Sequence, residues 1–153
     1  MQTTAHLFFS RKARQKAIEV MKKMNRNYMV PEVLNYAYVD MNSEEARTIM
    51  TKFYEELTLE AKIALVKEQV SSSSKFKKLV ENMFRDDLKK VDLSKAKLID
   101  EHAIVIYQWL TMTKNLTELD LSENRLESFG AMYVIKGLAN NTSLVNLNLK
   151  YKN

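Results

Sequence analysis

A predominantly helical chain is predicted, in which an all-α region precedes a short α/β solenoid with parallel strands inside and helices outside. Three observations predict it. A segment recurs at a fixed spacing of 28 residues: Leu88, Val91 and Leu93 return as Leu116, Leu119 and Leu121, and again as Leu144, Leu147 and Leu149. Within each copy the hydrophobic period changes from two to about 3.6, the change from a strand to an amphipathic helix. Only two glycines and one proline occur in 153 residues, which favours long helices over tight turns. Fixed-period similarity means one supersecondary unit stacked on copies of itself.

The first helix is expected over about residues 10–26. Ser10 has the residue type of an N-cap, and Ala13, Ala17, Val20, Met21 and Met24 recur on one side at helical spacing. This segment carries the charge of the chain. Residues 1–27 hold seven cations, Arg11, Lys12, Arg14, Lys16, Lys22, Lys23 and Arg26, against Glu19 alone. The net charge of the chain is +5, so the remainder is nearly neutral. Such a helix admits several readings: a solvated amphipathic surface, a docking face for RNA or another acidic polymer, or a transit-type leader, since the first 18 residues lack acids. Arg11 to Arg14 also resembles a nuclear-localisation cluster, a pattern common by chance.

Further helices follow to about residue 86. Pro31 can open a short one carrying Val33, Leu34, Tyr36, Ala37 and Tyr38. Ser43 before Glu44 and Glu45 places a cap and two acids where the helix dipole favours them. From there Ala46, Ile49, Met50, Phe53, Tyr54 and Leu57 form a core-facing stripe. Thr58 is expected to cap the next helix, with Ala61, Ile63, Ala64, Leu65 and Val66 inside it. The run Ser71 to Ser74 reads as a connector whose last serine caps a helix bearing Phe76, Leu79, Val80, Met83 and Phe84. The expected division is therefore a helical region and cap at 1–87, and repeats at 88–115, 116–143 and, in part, 144–153.

Beyond the strand segments Val91–Leu93, Leu119–Leu121 and Leu147–Leu149, the copies agree at Leu98 and Leu126, Ala103 and Ala131, Ile106 and Val134, and Leu110 and Leu138. The string from Leu116 through Leu119, Leu121, Asn124 and Leu126, followed by Gly130-Ala131 and Leu138 to Leu144, resembles a leucine-rich repeat. Its 28-residue length and Gly-Ala helix resemble the ribonuclease-inhibitor-like subclass. The resemblance covers residues 88–149. That subclass includes the GTPase-activating protein of the Ran pathway, tropomodulin-like actin-capping domains, immune nucleotide-binding receptors and ciliary regulatory subunits. The resemblance implies that Asn124 bonds neighbouring backbone at the turn after the strand. The preceding unit departs from the pattern, with Ala96 at the Asn position and His102 at the Gly130 position, as terminal repeats do.

The resemblance also implies an inner face lined by Lys90, Asp92, Ser94 and Lys95, then Glu118, Asp120, Ser122 and Glu123, then Asn146, Asn148 and Lys150. The central strand is acidic, which suits a protein partner with a basic or mixed patch. Behind the third strand no helix pattern follows Leu144, Leu147 and Leu149. Burying each leucine is worth about 1.5–3 kcal/mol, so further repeats or a partner are expected to complete that end.

Catalytic signals are scarce. The two histidines, His6 and His102, lack metal-ligand spacing, and a structural or solvated role is expected for both. No Gly-rich phosphate loop, nucleophile elbow or Cys/His set appears. Without cysteine, disulfides and thiolate metal sites are excluded, and a reducing intracellular compartment is the expectation. Acidic neighbours such as Glu55-Glu56 and Asp86-Asp87 do not converge on a substrate, Trp109 is expected to be packed, and Arg125 is not read as catalytic. The sequence thus predicts a non-enzymatic scaffold or adaptor without cofactor or membrane span, cytoplasmic, with a cytoskeletal or ciliary partner as one option among protein partners. The alternatives are a regulatory protein of GTPase-activating or actin-capping type, and nucleic-acid binding through Arg11, Lys12, Arg14 and Lys16.

Overall fold

The computed structural model describes residues 7–71 and 73–150. His6 and the start of the basic leader lie outside that range. The chain is predominantly helical, 53% helix against 6% strand, with six α-helices and one three-stranded parallel sheet among the described residues. It folds as two compact units divided between residues 71 and 72.

The first unit comprises α1 (Arg11–Met24), a 3-10 turn (Glu32–Asn35), α2 (Glu44–Glu56) and α3 (Leu59–Gln69). Its caps are the expected ones. Ser10, Ser43 and Thr58 accept the N–H groups of Ala13, Ala46 and Ala61 through their side-chain oxygens, satisfying donors that a helix start leaves open. The core is built from α1 and α3, with Phe9, Ala13, Ala17, Ala61, Leu65 and Val66 fully enclosed. Phe9 stands edge-on to Tyr54 at 5.0 Å, and its N–H donates to the Tyr54 hydroxyl at 3.2 Å.

Two expectations fail here. Met24 is exposed because α1 ends there, so its last turn emerges from the covered face. Tyr36 and Tyr38 are exposed too: the short helix is a 3-10 turn ending at Asn35, and only Leu34 is buried in it.

The second unit comprises α4 (Ser74–Asn82), β1 (Lys90–Asp92), α5 (Asp100–Met112), β2 (Glu118–Asp120), α6 (Ser128–Ala139) and β3 (Asn146–Asn148). The strands pair in parallel in the order β1-β2-β3, and every register partner lies 28 residues away: Val91 opposite Leu119, Leu119 opposite Leu147. The sequence period is therefore the sheet register. Ser73, not Ser74, caps α4 by accepting the Phe76 N–H, because the helix starts one residue later than the cap. Phe84 is exposed, since α4 ends at Asn82 and the helical period lapses before it.

Adjacent copies interlock through polar side chains, of which Asn124 is buried. Asn124 Oδ1 accepts the N–H groups of Ala96 and Leu98 at 3.0 and 3.1 Å, while its Nδ2 donates to the carbonyls of Leu93 and Leu121 at 2.8 and 3.0 Å. It thus serves the turn where Ala96 replaces the asparagine. Asp100 accepts the Glu127 N–H at 2.7 Å, and Asn141 Nδ2 donates to the Leu110 and Thr113 carbonyls. The helices α5 and α6 approach closely. A Cβ on Gly130 would collide with the Asp100 carboxylate and sit 2.9 Å from Leu126, and one on Gly137 would sit 3.0 Å from Leu110.

Candidate interaction surface

In a strand successive side chains alternate between faces. Val91, Leu119 and Leu147 therefore turn one way, and the residues on either side turn the other. That second face carries two rows across the strands, Lys90–Glu118–Asn146 and Asp92–Asp120–Asn148. They floor a shallow open depression of about 400 Å³. Every candidate strand residue read from the sequence converges here.

The rows are held by local bonds that repeat with the fold. Asp92, Asp120 and Asn148 each accept the N–H two residues on through Oδ1, at 2.8, 2.9 and 3.0 Å. This turn closes each strand and orients the side chain. Lys90 pairs with Glu118 at 3.7 Å, and one step on Lys95 pairs with Glu123 at 3.6 Å. Lys95 and Glu123 both occupy the left-handed region, φ 52° and 54°, so they sit at turns beside the strand rows. Asp92 also receives Lys75 Nζ at 3.2 Å. The Ser94 hydroxyl and N–H, and then Lys75, hold its carboxyl below the usual carboxylate range.

Other candidates are placed differently. Ser122 is buried, with a relative exposure of 8%, so it does not line the open face; its N–H donates to Asp120 Oδ1 and its carbonyl accepts from Asn124 Nδ2. Leu144, Leu147 and Leu149 are each half-buried, and Leu149 lines a small apolar cavity of about 70 Å³ with Leu121, Leu126 and Ala131. On α1, Arg11, Lys12 and Lys16 are exposed, with Lys12 paired to Glu68 at 3.3 Å.

Arg14 is the exception and corrects the basic-cluster reading. It is fully buried, and its guanidinium donates to the carbonyls of Leu34 at 3.0 Å and Tyr36 at 2.8 Å. It ties the 3-10 turn to α1 and cannot meet an external anion; burial lowers its pKa.

Two further buried polar groups mark the interior. Lys62 escaped the sequence reading, although it shares the α3 stripe of Leu59, Leu65 and Val66 at helical spacing. Burial lowers its ammonium to about 8, with Glu55 opposing the shift. His102 is buried against Phe76, ring centroids 4.7 Å apart, and its Nδ1 accepts the Ile99 N–H at 3.0 Å. Burial lowers its pKa to about 4, so the imidazole is neutral at pH 7. Among the described residues no group of three His, Asp or Glu side chains converges as a metal site, and no helix is long and apolar enough to cross a membrane.

The chain matches no family model, no curated protein and no solved structure.

Proposed function

We propose that this chain is a protein-interaction module of the leucine-rich-repeat type, a scaffold or adaptor within a larger assembly, and that the open face of its sheet receives the partner. The carrying observation is the pair of aligned polar rows, Lys90–Glu118–Asn146 and Asp92–Asp120–Asn148, repeated at 28-residue register over a shallow depression. A solenoid built from such units stacks its strands into one inner face, and flat polar surfaces of this kind suit macromolecules better than small ligands, which favour deep apolar pockets. Glu118, Asp120 and Asp92 give the centre an acidic cast, so the partner offers a basic or mixed patch.

A standard interface needs about 800 Å² per partner. The reading therefore assigns cover for the half-buried Leu144, Leu147 and Leu149 to a partner or to further repeats. A regulatory role of GTPase-activating or actin-capping type would use the same face.

The test is charge reversal of Glu118 and Asp120 to lysine, read by crosslinking and mass spectrometry of the partner. The Lys90–Glu118 pair is worth about 0–1 kcal/mol, and Asp120→Lys also gives up the acceptor of the Ser122 N–H, about 1 kcal/mol; far-ultraviolet circular dichroism checks that the double variant keeps its fold. Loss of the crosslinked partner is the expected result. Full retention removes the open face from the interface.

A second reading rests on the exposed cations Arg11, Lys12 and Lys16 of α1, a docking strip for nucleic acid. It requires binding that collapses steeply with salt and disappears when those three are neutralised.

A further inference from the structure

The free edge of β1 borders a groove of about 300 Å³ walled on its other side by α4. The bonds of β1 to β2 use its odd-numbered residues: Glu118 N–H donates to the Lys89 carbonyl, and Leu93 N–H donates to the Asp120 carbonyl. Main-chain groups alternate in direction along a strand. The N–H and C=O of Lys90 and Asp92 therefore point away from β2, into this groove. An edge of this kind is a template for another extended chain.

One contact already imitates that chain. Lys75, on the first turn of α4, reaches across and donates from Nζ to the Ser94 carbonyl at 2.6 Å, the next even-numbered acceptor along the same edge. Lys75 spans the groove from helix to strand with its four-carbon stem, and an added strand would lie about 4.8 Å from β1. The groove is apolar on the side of Leu79, Leu88 and Val91, and its rim carries Lys78, with Lys75 paired to Asp92 and Lys90 to Glu118.

The geometry points to a strand-addition site: an extended, acidic segment of a partner protein pairs with Lys90 and Asp92 as a further strand of the sheet. Alternate side chains of that segment would face Leu79, Leu88 and Val91, and the intervening carboxylates would face Lys78 and Lys90. Main-chain bonds supply affinity in this mode, and the alternate pockets and charges supply selection. The site adjoins the open face proposed above and shares Lys90 and Asp92 with it, but it uses their main-chain groups at the edge of β1 and not the side chains of Glu118 and Asp120.

The probe is a short fluorescein-labelled peptide alternating valine and glutamate, with a copy N-methylated at every second residue. Fluorescence anisotropy reads binding, and amide hydrogen exchange by NMR reads the Lys90 and Asp92 N–H groups. Exchange at both amides slows by about tenfold or more at saturation, and N-methylation weakens binding by up to about tenfold for each main-chain hydrogen bond it removes. Lys78→Glu, an exposed change that leaves the core untouched, weakens binding by a similar factor, while Glu118→Lys with Asp120→Lys does not. Unchanged exchange at Lys90 and Asp92, or equal binding of the N-methylated peptide, overturns the proposal. Slowing of the same amides with protein concentration alone also overturns it, since the occupant would then be a second copy of this chain.

Discussion

Replacement of Asn124 by alanine tests the interlocking of the repeated units most directly. The side chain makes four good bonds between 2.8 and 3.1 Å, two accepted and two donated, all to backbone. Leu93, Ala96 and Leu98 are buried to within 3% of full enclosure, so water cannot replace the lost partner. A hydrogen bond is worth about 1 kcal/mol net, and an orphaned buried group costs about 1–3 kcal/mol; the four together give about 4 kcal/mol. Since a domain is stable by only about 5–15 kcal/mol, Asn124→Ala removes a large share. Urea denaturation followed by the near-ultraviolet signal of Trp109 measures the loss. Asn124→Asp is the discriminating control: it keeps the acceptor for Ala96 and Leu98 but turns a carboxylate toward the Leu93 and Leu121 carbonyls, so it also destabilises. A cost below about 1 kcal/mol for alanine, or an aspartate variant as stable as the parent, would refute the reasoning.

Three other outcomes follow from the packing. Gly130→Ala lowers the denaturation midpoint, costing about 1–3 kcal/mol through overpacking against Asp100 and Leu126, although a helical Gly→Ala change ordinarily gains about 1 kcal/mol. His102 is held below its ordinary value, at about 4 against 6.5, so between those values the unfolded chain binds the proton more readily. Its contribution is intact above pH 6.5 and lost as pH falls toward 4, about 3 kcal/mol in all; urea midpoints at pH 7 and pH 5 should differ less in His102→Phe than in the parent. Arg14→Met leaves the Leu34 and Tyr36 carbonyls without their donor and costs about 2–3 kcal/mol, whereas Arg11→Ala and Lys16→Ala stay within about 0.5 kcal/mol by thermal melting.

The contrast between Arg14 and its neighbours shows where sequence reading reaches its limit. Period and residue type are enough for the 28-residue register and for the caps at Ser10, Ser43 and Thr58, because each is set by local spacing or by the next copy; the bonding role of Asn124 comes only from the family resemblance. Arg14 was grouped with Arg11 and Lys16 because charge patterning cannot tell a solvated cation from one whose partners are carbonyls some twenty residues away. Lys62 was missed for a related reason: its aliphatic stem lets it share a buried stripe. Ser122 resembles Ser94 in its copy, yet Ser122 follows the central strand and is buried, whereas Ser94 follows the edge strand and is half-buried. The groove between α4 and β1 depends on where α4 packs beside the sheet and on which edge of the sheet remains unpaired. Neither has a compositional signature.

The reach of Asn124, Asp100 and Asn141 into adjoining copies has a consequence for how this chain can change length. Insertion or loss of a whole 28-residue block hands each of those side chains an equivalent neighbour, so growth in whole blocks leaves the network intact. Any other increment between Leu93 and Leu144 misplaces the amide or carboxylate relative to its targets and strands several main-chain groups at once. Variation in length among descendants of this sequence is thereby quantised, with loops outside the network as the only place for single-residue change.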